Sequence, residues 1–339
     1  MDLSAYPRAH LGVWPTPLVR ARRLEAKLGS GPLLVKRDDL SGFAFAGNKT
    51  RPLEYLLGGA VLDECEAFVV GGVATSNFCA GAAVAAQSAG LQCHIVLPGK
   101  PPAPASANLA MALDCGAHVT FSGGPRELLD ERIRERAAEL TARGHRSMAI
   151  PRGGASALGT LGFFRAAAEL CDQLVDAGHD RARVVIAVGS GGSIAGLYAA
   201  SASQRAQYSI VGVSVSRPLA ELEPHLRELA DACVGLLGAR EPDPAALDLI
   251  EAAAGFHDSG CDSAEHEVEL LALQTEGIVL DPHYTARAFS IALRLLEERR
   301  DEAVPVVFWH TGGAPAVISA YATADNAKIG ADADVVCGS

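Results

Sequence analysis

Short apolar runs that close on a glycine, serine or threonine turn, and are followed by stretches of helical spacing, recur along the whole chain. Ala67 to Val70, Cys93 to Leu97, His118 to Phe121 and Ser147 to Ile150 read as four strands separated by alanine-rich helices. Val184 to Val188, Ile210 to Val215 and Val306 to Trp309 read as strands of a second sheet. Strands that alternate with helices imply βαβ units and parallel sheets. The first four strands predict a small domain, and the glycine-rich joints near Phe45 to Asn48 and Gly153 to Gly159 mark where the chain crosses between the two sheets. No repeat or low-complexity tract stands out, and the tail from Thr323 to Ser339, rich in Ala and Asp, is expected to fray.

Composition narrows the function classes. With 339 residues and 49% hydrophobic content, the chain can bury a core large enough for two domains. No apolar run reaches membrane-spanning length, and Met1-Asp2-Leu3-Ser4 lacks the basic-then-apolar start of a secretory signal, so a cytoplasmic location is expected. The eight cysteines are scattered without CxxC pairs, which argues for reduced, mostly buried thiols. A net charge of -11 repels nucleic acid and anionic membranes, so neither is expected as a partner. The ten histidines form no HxxxH or HExxH set, and no metal site is expected.

Candidate chemistry starts at Phe45-Ala46-Gly47-Asn48-Lys49-Thr50-Arg51, which sets one of only five lysines in a small-residue turn at a helix start. A desolvated lysine can lose its proton and attack an aldehyde to form a Schiff base, which an arginine cannot do. A solvated helix-start lysine is the plain alternative. Ile186 to Gly196 reads as a buried strand, the turn Gly189-Ser190-Gly191-Gly192-Ser193 and a helix. Such a turn cradles a phosphate with backbone N–H groups and the helix dipole, or is simply a tight βα connection. Its spacing is neither that of a dinucleotide site nor of a P-loop, so a single phosphate on a small cofactor fits better, and the Gly-x-Ser-x-Gly elbow of a serine hydrolase is absent. A second apolar strand ends in His310-Thr311-Gly312-Gly313. A third segment, Gly71-Gly72-Val73-Ala74-Thr75-Ser76-Asn77-Phe78, opens a helix whose free N–H groups suit a substrate carboxylate.

Taken in order, these blocks resemble the pyridoxal-phosphate enzymes of the tryptophan synthase β-like fold type II, and within them the D-cysteine desulfhydrase/1-aminocyclopropane-1-carboxylate deaminase family. The matching blocks also include Pro15-Thr16-Pro17-Leu18, Lys36-Arg37-Asp38-Asp39, Ile150 to Gly159 and Asp281-Pro282-His283-Tyr284-Thr285, and they span nearly the whole chain. The resemblance implies an α/β fold of two open parallel-sheet domains. The large cofactor-binding domain would comprise 1–48 and 160–339, with Leu33 to Val35 joining its sheet, and the small domain 49–159, with the active site in the cleft between them. It implies pyridoxal 5'-phosphate bound by Lys49, Asn48, Gly189, Ser190, Gly191, Gly192, Ser193 and Thr311, the last as hydroxyl partner of the pyridine nitrogen. It implies catalytic roles for Lys49 as base at Cα, Ser76 on the opposite cofactor face and Tyr284, with Thr75, Ser76, Asn77, Phe78, Arg152, Gly153 and Tyr284 around the substrate, and a homodimer. Ser76 as a helix N-cap and Tyr284 as a buried hydrogen-bonding aromatic remain open beside these roles.

Departures from the family bear on substrate. Thr75 and Phe78 stand where Gln and His are common, and Thr285 stands where cyclopropane-opening deaminases carry an acid that contacts the pyridine nitrogen. Ala286-Arg287 replaces the usual Gly-Lys, and Arg152 stands where an apolar residue is common. A guanidinium at 152 either binds a second anionic group on the substrate or pairs with a carboxylate of the protein. The expected activity is a lyase that eliminates the β substituent of a small amino acid, releasing pyruvate and ammonia through aminoacrylate. A β-replacement synthase or amino-acid racemase is the enzymatic alternative, and a non-catalytic cofactor- or amino-acid-binding protein the alternative of another class.

Overall fold

The computed structural model describes residues 3–203, 207–252, 263–298 and 303–323. Its first half runs β1 (Leu18–Arg20), α1 (Arg22–Leu28), β2 (Leu33–Arg37), α2 (Thr50–Leu62), β3 (Ala67–Gly71), α3 (Asn77–Ser88), β4 (Gln92–Leu97), α4 (Ala107–Asp114), β5 (His118–Phe121), α5 (Leu129–Ala142) and β6 (Ser147–Ala149). The second half runs α6 (Ala157–Asp176), β7 (Arg181–Val188), α7 (Gly192–Ala200), β8 (Gln207–Ser214), α8 (Leu219–Leu237), β9 (Leu247–Glu251), α9 (Ser263–Glu276), α10 (Thr285–Glu298), β10 (Val306–His310) and α11 (Ala314–Thr323). The tail expected to fray lies, over 324–339, outside the described residues, as do Cys261 and Cys337.

The strands form two sheets. Order β5-β4-β3-β6 gives a four-stranded sheet, parallel throughout, and β1-β2-β10-β7-β8-β9 a six-stranded one, parallel except for β1. The central strands β3 and β10 are buried along their whole length, as strands covered by helices on both faces must be. Two edge strands have no clear signature in the sequence. β1 spans only three residues, one half-buried and two exposed, and β9 reads Leu247-Asp248-Leu249-Ile250-Glu251, with carboxylates that suit an edge.

Helix α6 is the spine between the sheets, because glycines let its neighbours approach closely. A β-carbon at Gly162 would lie 2.5 Å from the Arg51 carbonyl carbon in α2, and one at Gly196 in α7 would lie 2.7 Å from Cβ of Phe163 in α6. Beneath this contact lies a buried ionic network. Arg51 pairs with Asp38 at 2.7 Å and Glu169 at 2.9 Å, and Lys36 donates to Glu169 at 2.5 Å and to the Thr16 carbonyl at 2.7 Å. Trp309 Nε1 donates to Asp38 at 2.8 Å, and the Arg51 guanidinium lies over the Trp14 ring at 4.1 Å. Two cations face two carboxylates with their hydrogen bonds satisfied, the condition under which buried charge is tolerated.

Candidate active site

Parallel strands deliver their following loops to one edge, and the site is built there. The loop after β2 carries Lys49. Gly47 adopts φ 57 so that it can lie against Thr311, whose carbonyl would meet any β-carbon, and Asn48 N donates to that carbonyl at 2.9 Å. Ala44 and Phe45 just upstream hold φ 47 and 50, left-handed values that cost residues other than glycine roughly 1–3 kcal/mol and persist where the surroundings fix them. The Lys49 amine has no acid or hydrogen-bond partner among the described residues. Desolvation by the surrounding protein brings its pKa down to about 8.

The cradle lies beside that amine. After β7 the chain turns at Gly191, φ 91, into α7, whose first-turn N–H groups have no helical acceptors. Asn48 Nδ2 donates to Ser193 Oγ at 3.0 Å, tying the lysine loop to the cradle. A β-carbon at Gly153 would collide with Ser190 Oγ and stand 3.7 Å from Lys49 Nζ, so the 153 turn, the cradle and the amine converge on one point. A β-carbon at Gly189 would touch the Tyr284 ring at 3.2 Å, with the phenol oxygen 3.7 Å away. Burial raises the Tyr284 pKa and keeps the hydroxyl protonated. The Thr311 hydroxyl has no hydrogen-bond partner among the described residues. His225, on α8, packs its ring 3.7 Å from the β-carbon position of Gly191 and bonds to the Ser190 backbone; burial, then the nearby Arg217 charge, lower its pKa. Nothing in its sequence surroundings singles it out, since α8 reaches the cradle only through tertiary packing.

The third segment follows β3. Ser76 caps α3, its Oγ accepting from Cys79 N at 3.2 Å. Asn108 holds the loop by donating to the Thr75 carbonyl at 2.7 Å and to Asn77 Oδ1 at 2.8 Å. Thr75 is exposed, whereas Phe78 is 1% exposed and packs into the core of the four-stranded sheet, its ring against Gly154. Phe78 therefore offers no surface to a substrate and acts by shaping the 153–154 turn. Arg152 is held by Asp130, which accepts its backbone N at 3.0 Å and its Nε at 2.8 Å. Thr285, which stands at the place of an acid, is buried and bonds Asp281 Oδ2 at 2.7 Å. Asp281 also accepts the Tyr284 N–H at 2.8 Å, and the resulting helix cap fixes Tyr284 on the cleft.

The residues fit pyridoxal phosphate. An unpartnered, desolvated amine stands where a Schiff base would form, a glycine turn at a helix start stands where a phosphate would bind, and Thr311, whose carbonyl accepts from Asn48 N beside that amine, carries a hydroxyl with no partner among the described residues. The comparisons agree. The sequence profile of the family described as "Pyridoxal-phosphate dependent enzyme" matches residues 9–312. A Pyrococcus abyssi protein provisionally named 1-aminocyclopropane-1-carboxylate deaminase is 35% identical over 93% of this chain and 94% of its own. The D-cysteine desulfhydrase of Klebsiella pneumoniae strain 342 is 33% identical over 94% of this chain and 97% of its own. The crystal structure of an ACC deaminase homologue superposes with a TM-score of 0.83 at 30% identity, covering 92% of this chain and 93% of that one.

Proposed function

The chain belongs to the family of pyridoxal-phosphate dependent enzymes, with the two-sheet fold of type II, and from that premise we propose a lyase of the D-cysteine desulfhydrase kind, which eliminates the β substituent of a small amino acid. When bound, pyridoxal phosphate supplies an electron-withdrawing ring that stabilises negative charge at the substrate Cα. Lys49 would hold its aldehyde carbon, the 189–193 turn with Asn48 its phosphate, and Thr311 would face its ring nitrogen.

The residues of the chain then divide the work. The loop at 75–77 and the first N–H groups of α3 receive the substrate carboxylate. The Lys49 amine, whose proton affinity lies near neutrality, takes the Cα proton. The pair of electrons left at Cα forms a Cα–Cβ double bond, and the bond from Cβ to its substituent breaks, with the departing group keeping its pair. Protonated Tyr284 donates toward that group. Water converts the released enamine to a keto acid and ammonia. The observation that carries elimination is the hydroxyl at Thr311, unpartnered among the described residues, together with a threonine at 285 that is bonded to Asp281, because a hydroxyl facing the ring nitrogen holds it protonated less well than a carboxylate would and charge at Cα is left to expel a β substituent. A cytoplasmic location belongs to the same proposal, supported by the six free cysteines among the described residues, and a homodimer is proposed with it from the family resemblance alone.

The test is a screen of D- and L-amino acids with β leaving groups, read by keto-acid release. Lys49→Ala should abolish both the visible absorbance of the bound cofactor and turnover, while Lys36→Ala keeps the absorbance. Borohydride reduction and peptide mapping that place the label on Lys36 would overturn the reading.

A further inference from the structure

Helix α4 reaches back to the loop between β3 and α3. Ser106 caps α4 by accepting the Leu109 N–H at 3.2 Å, and its own hydroxyl donates to the Ala74 carbonyl. Two residues on, Asn108 Nδ2 donates to the Thr75 carbonyl at 2.7 Å and to Asn77 Oδ1 at 2.8 Å. The loop is thus held at Ala74, Thr75 and Asn77 by residues 31 to 33 positions away in the chain.

These bonds fix the orientation of both amides. A backbone carbonyl only accepts, so the atom of Asn108 that faces Thr75 is its nitrogen. The same nitrogen faces the Asn77 side chain, which must answer with its oxygen. Oxygen and nitrogen lie on opposite sides of Cγ, so Asn77 Nδ2 is turned away from Asn108, and it has no partner among the described residues. The arrangement does not satisfy Asn108 itself: the residue is 5% exposed, and its Oδ1 is buried with no donor among the described residues. Burying an acceptor unpaired is unfavourable, so this amide is held by what its nitrogen does for the loop.

We propose that Asn108 is a positioning residue that makes the site selective for a carboxylate at the substrate Cα: by claiming Asn77 Oδ1 it leaves Asn77 only N–H donors to offer, beside the first N–H groups of α3. The proposal rests on the lyase reading in taking loop 75–77 as the carboxylate site, and deepens it by naming what enforces that choice. A carboxylate accepts through both oxygens, whereas a carboxamide sets an NH2 group against one of these donors and leaves both unpaired.

Alanine and alaninamide of the same hand test recognition apart from chemistry, because neither carries a β leaving group. Spectral titration of the holoenzyme at neutral pH should show alanine bound more tightly than alaninamide. In Asn108→Asp the side chain can only accept, so the Asn77 amide rotates to donate to it and turns its oxygen outward. The preference for alanine should then fall roughly 10- to 100-fold, the loss of a charge-assisted bond and its replacement by an acceptor. The new charge lies in the first turn of α4, where the helix dipole favours it. Ser106→Ala releases Ala74 but leaves both amides in place, and should weaken the two ligands alike. The apoprotein gives a second readout. The chain has four asparagines, so isotopic labelling of asparagine resolves each side-chain NH2 by NMR. The Asn108 amide protons should exchange with deuterium oxide far more slowly than those of Asn77, a comparison on the wild-type protein that stands even where the variant does not fold. An Asn77 amide as protected as that of Asn108 overturns the proposal, as does an Asn108→Asp protein that loses alanine and alaninamide binding equally. Elimination from β-chloroalanine with the alanine preference unmoved in Asn108→Asp overturns it while the lyase reading stands. A preference that falls in the variant, with no elimination by the wild type from any β-substituted amino acid, supports it and overturns the lyase reading.

Discussion

Lys49 and Lys36 are both covered by protein, yet only one is chemically available. The Lys36 ammonium is held by Glu169 and the Thr16 carbonyl, whereas the Lys49 amine faces the cleft with no counter-charge among the described residues, its pKa lowered by desolvation from 10.5 to about 8. At pH 7 a shift of that size raises the neutral, nucleophilic fraction about 300-fold. A lowered pKa on an amine favours the neutral form, so the rate at which apoprotein captures pyridoxal phosphate should climb with pH up to about 8 and level off above it. Stopped-flow absorbance against pH measures this. A rate still climbing about tenfold per pH unit beyond 9 would show an ordinary solvated lysine.

The N-terminus of α3 illustrates how one element joins folding to chemistry. Ser76 Oγ accepts a backbone N–H as helix cap and also bonds the Cys79 side chain, and we propose that the same hydroxyl moves a proton at the substrate Cα. Ser76→Ala should therefore cost about 1 kcal/mol in urea denaturation, the usual worth of a cap, and leave the cofactor absorbance intact. It should also slow Cα-proton exchange in deuterium oxide much more for one substrate enantiomer than for the other, as expected of a group on the cofactor face opposite Lys49. Equal slowing of both hands would reduce Ser76 to the cap alone.

The two sheets meet over α2 and α6, and the network of Lys36, Asp38, Arg51 and Glu169 lies under that seam. Burial opposes the charged form of Glu169, but the hydrogen bonds and charge of Arg51, and then Lys36, outweigh it and hold its pKa near 2. A carboxylate pKa depressed in the folded state contributes stability above its unfolded value of 4.5, and that stability fades as pH falls from 4.5 toward 2. Glu169→Gln leaves two cations facing one carboxylate and should cost about 3–5 kcal/mol at pH 7. Urea denaturation of apoprotein should also show a shallower acid dependence in the variant, since the titrating group is gone. An unchanged acid limb would remove Glu169 from the account of acid stability.

The sequence by itself determined much of this architecture, because central parallel strands must be apolar throughout and must end in turns that only glycine and hydroxyl residues make well. The four strands of the small sheet and the central strands of the large one are legible as runs, and Lys49, Gly189 to Ser193 and Thr311 are legible because their chemistry demands residue types that few other positions require. The antiparallel β1 and the polar β9 escape such reading, since edge strands are short or half-exposed and are specified by pairing with a neighbour. Other facts exist only between elements. Asp130 on α5 claims the Arg152 guanidinium, Asp281 claims the Thr285 hydroxyl, the aromatic ring of Phe78 turns into the core, and His225 and Ser216 arrive at the cradle from α8 and the loop after β8, Ser216 Oγ donating to the Gly189 carbonyl. A side chain's partner depends on which neighbours packing brings within about 3 Å, a contact between residues far apart in the chain, and local sequence carries no record of it.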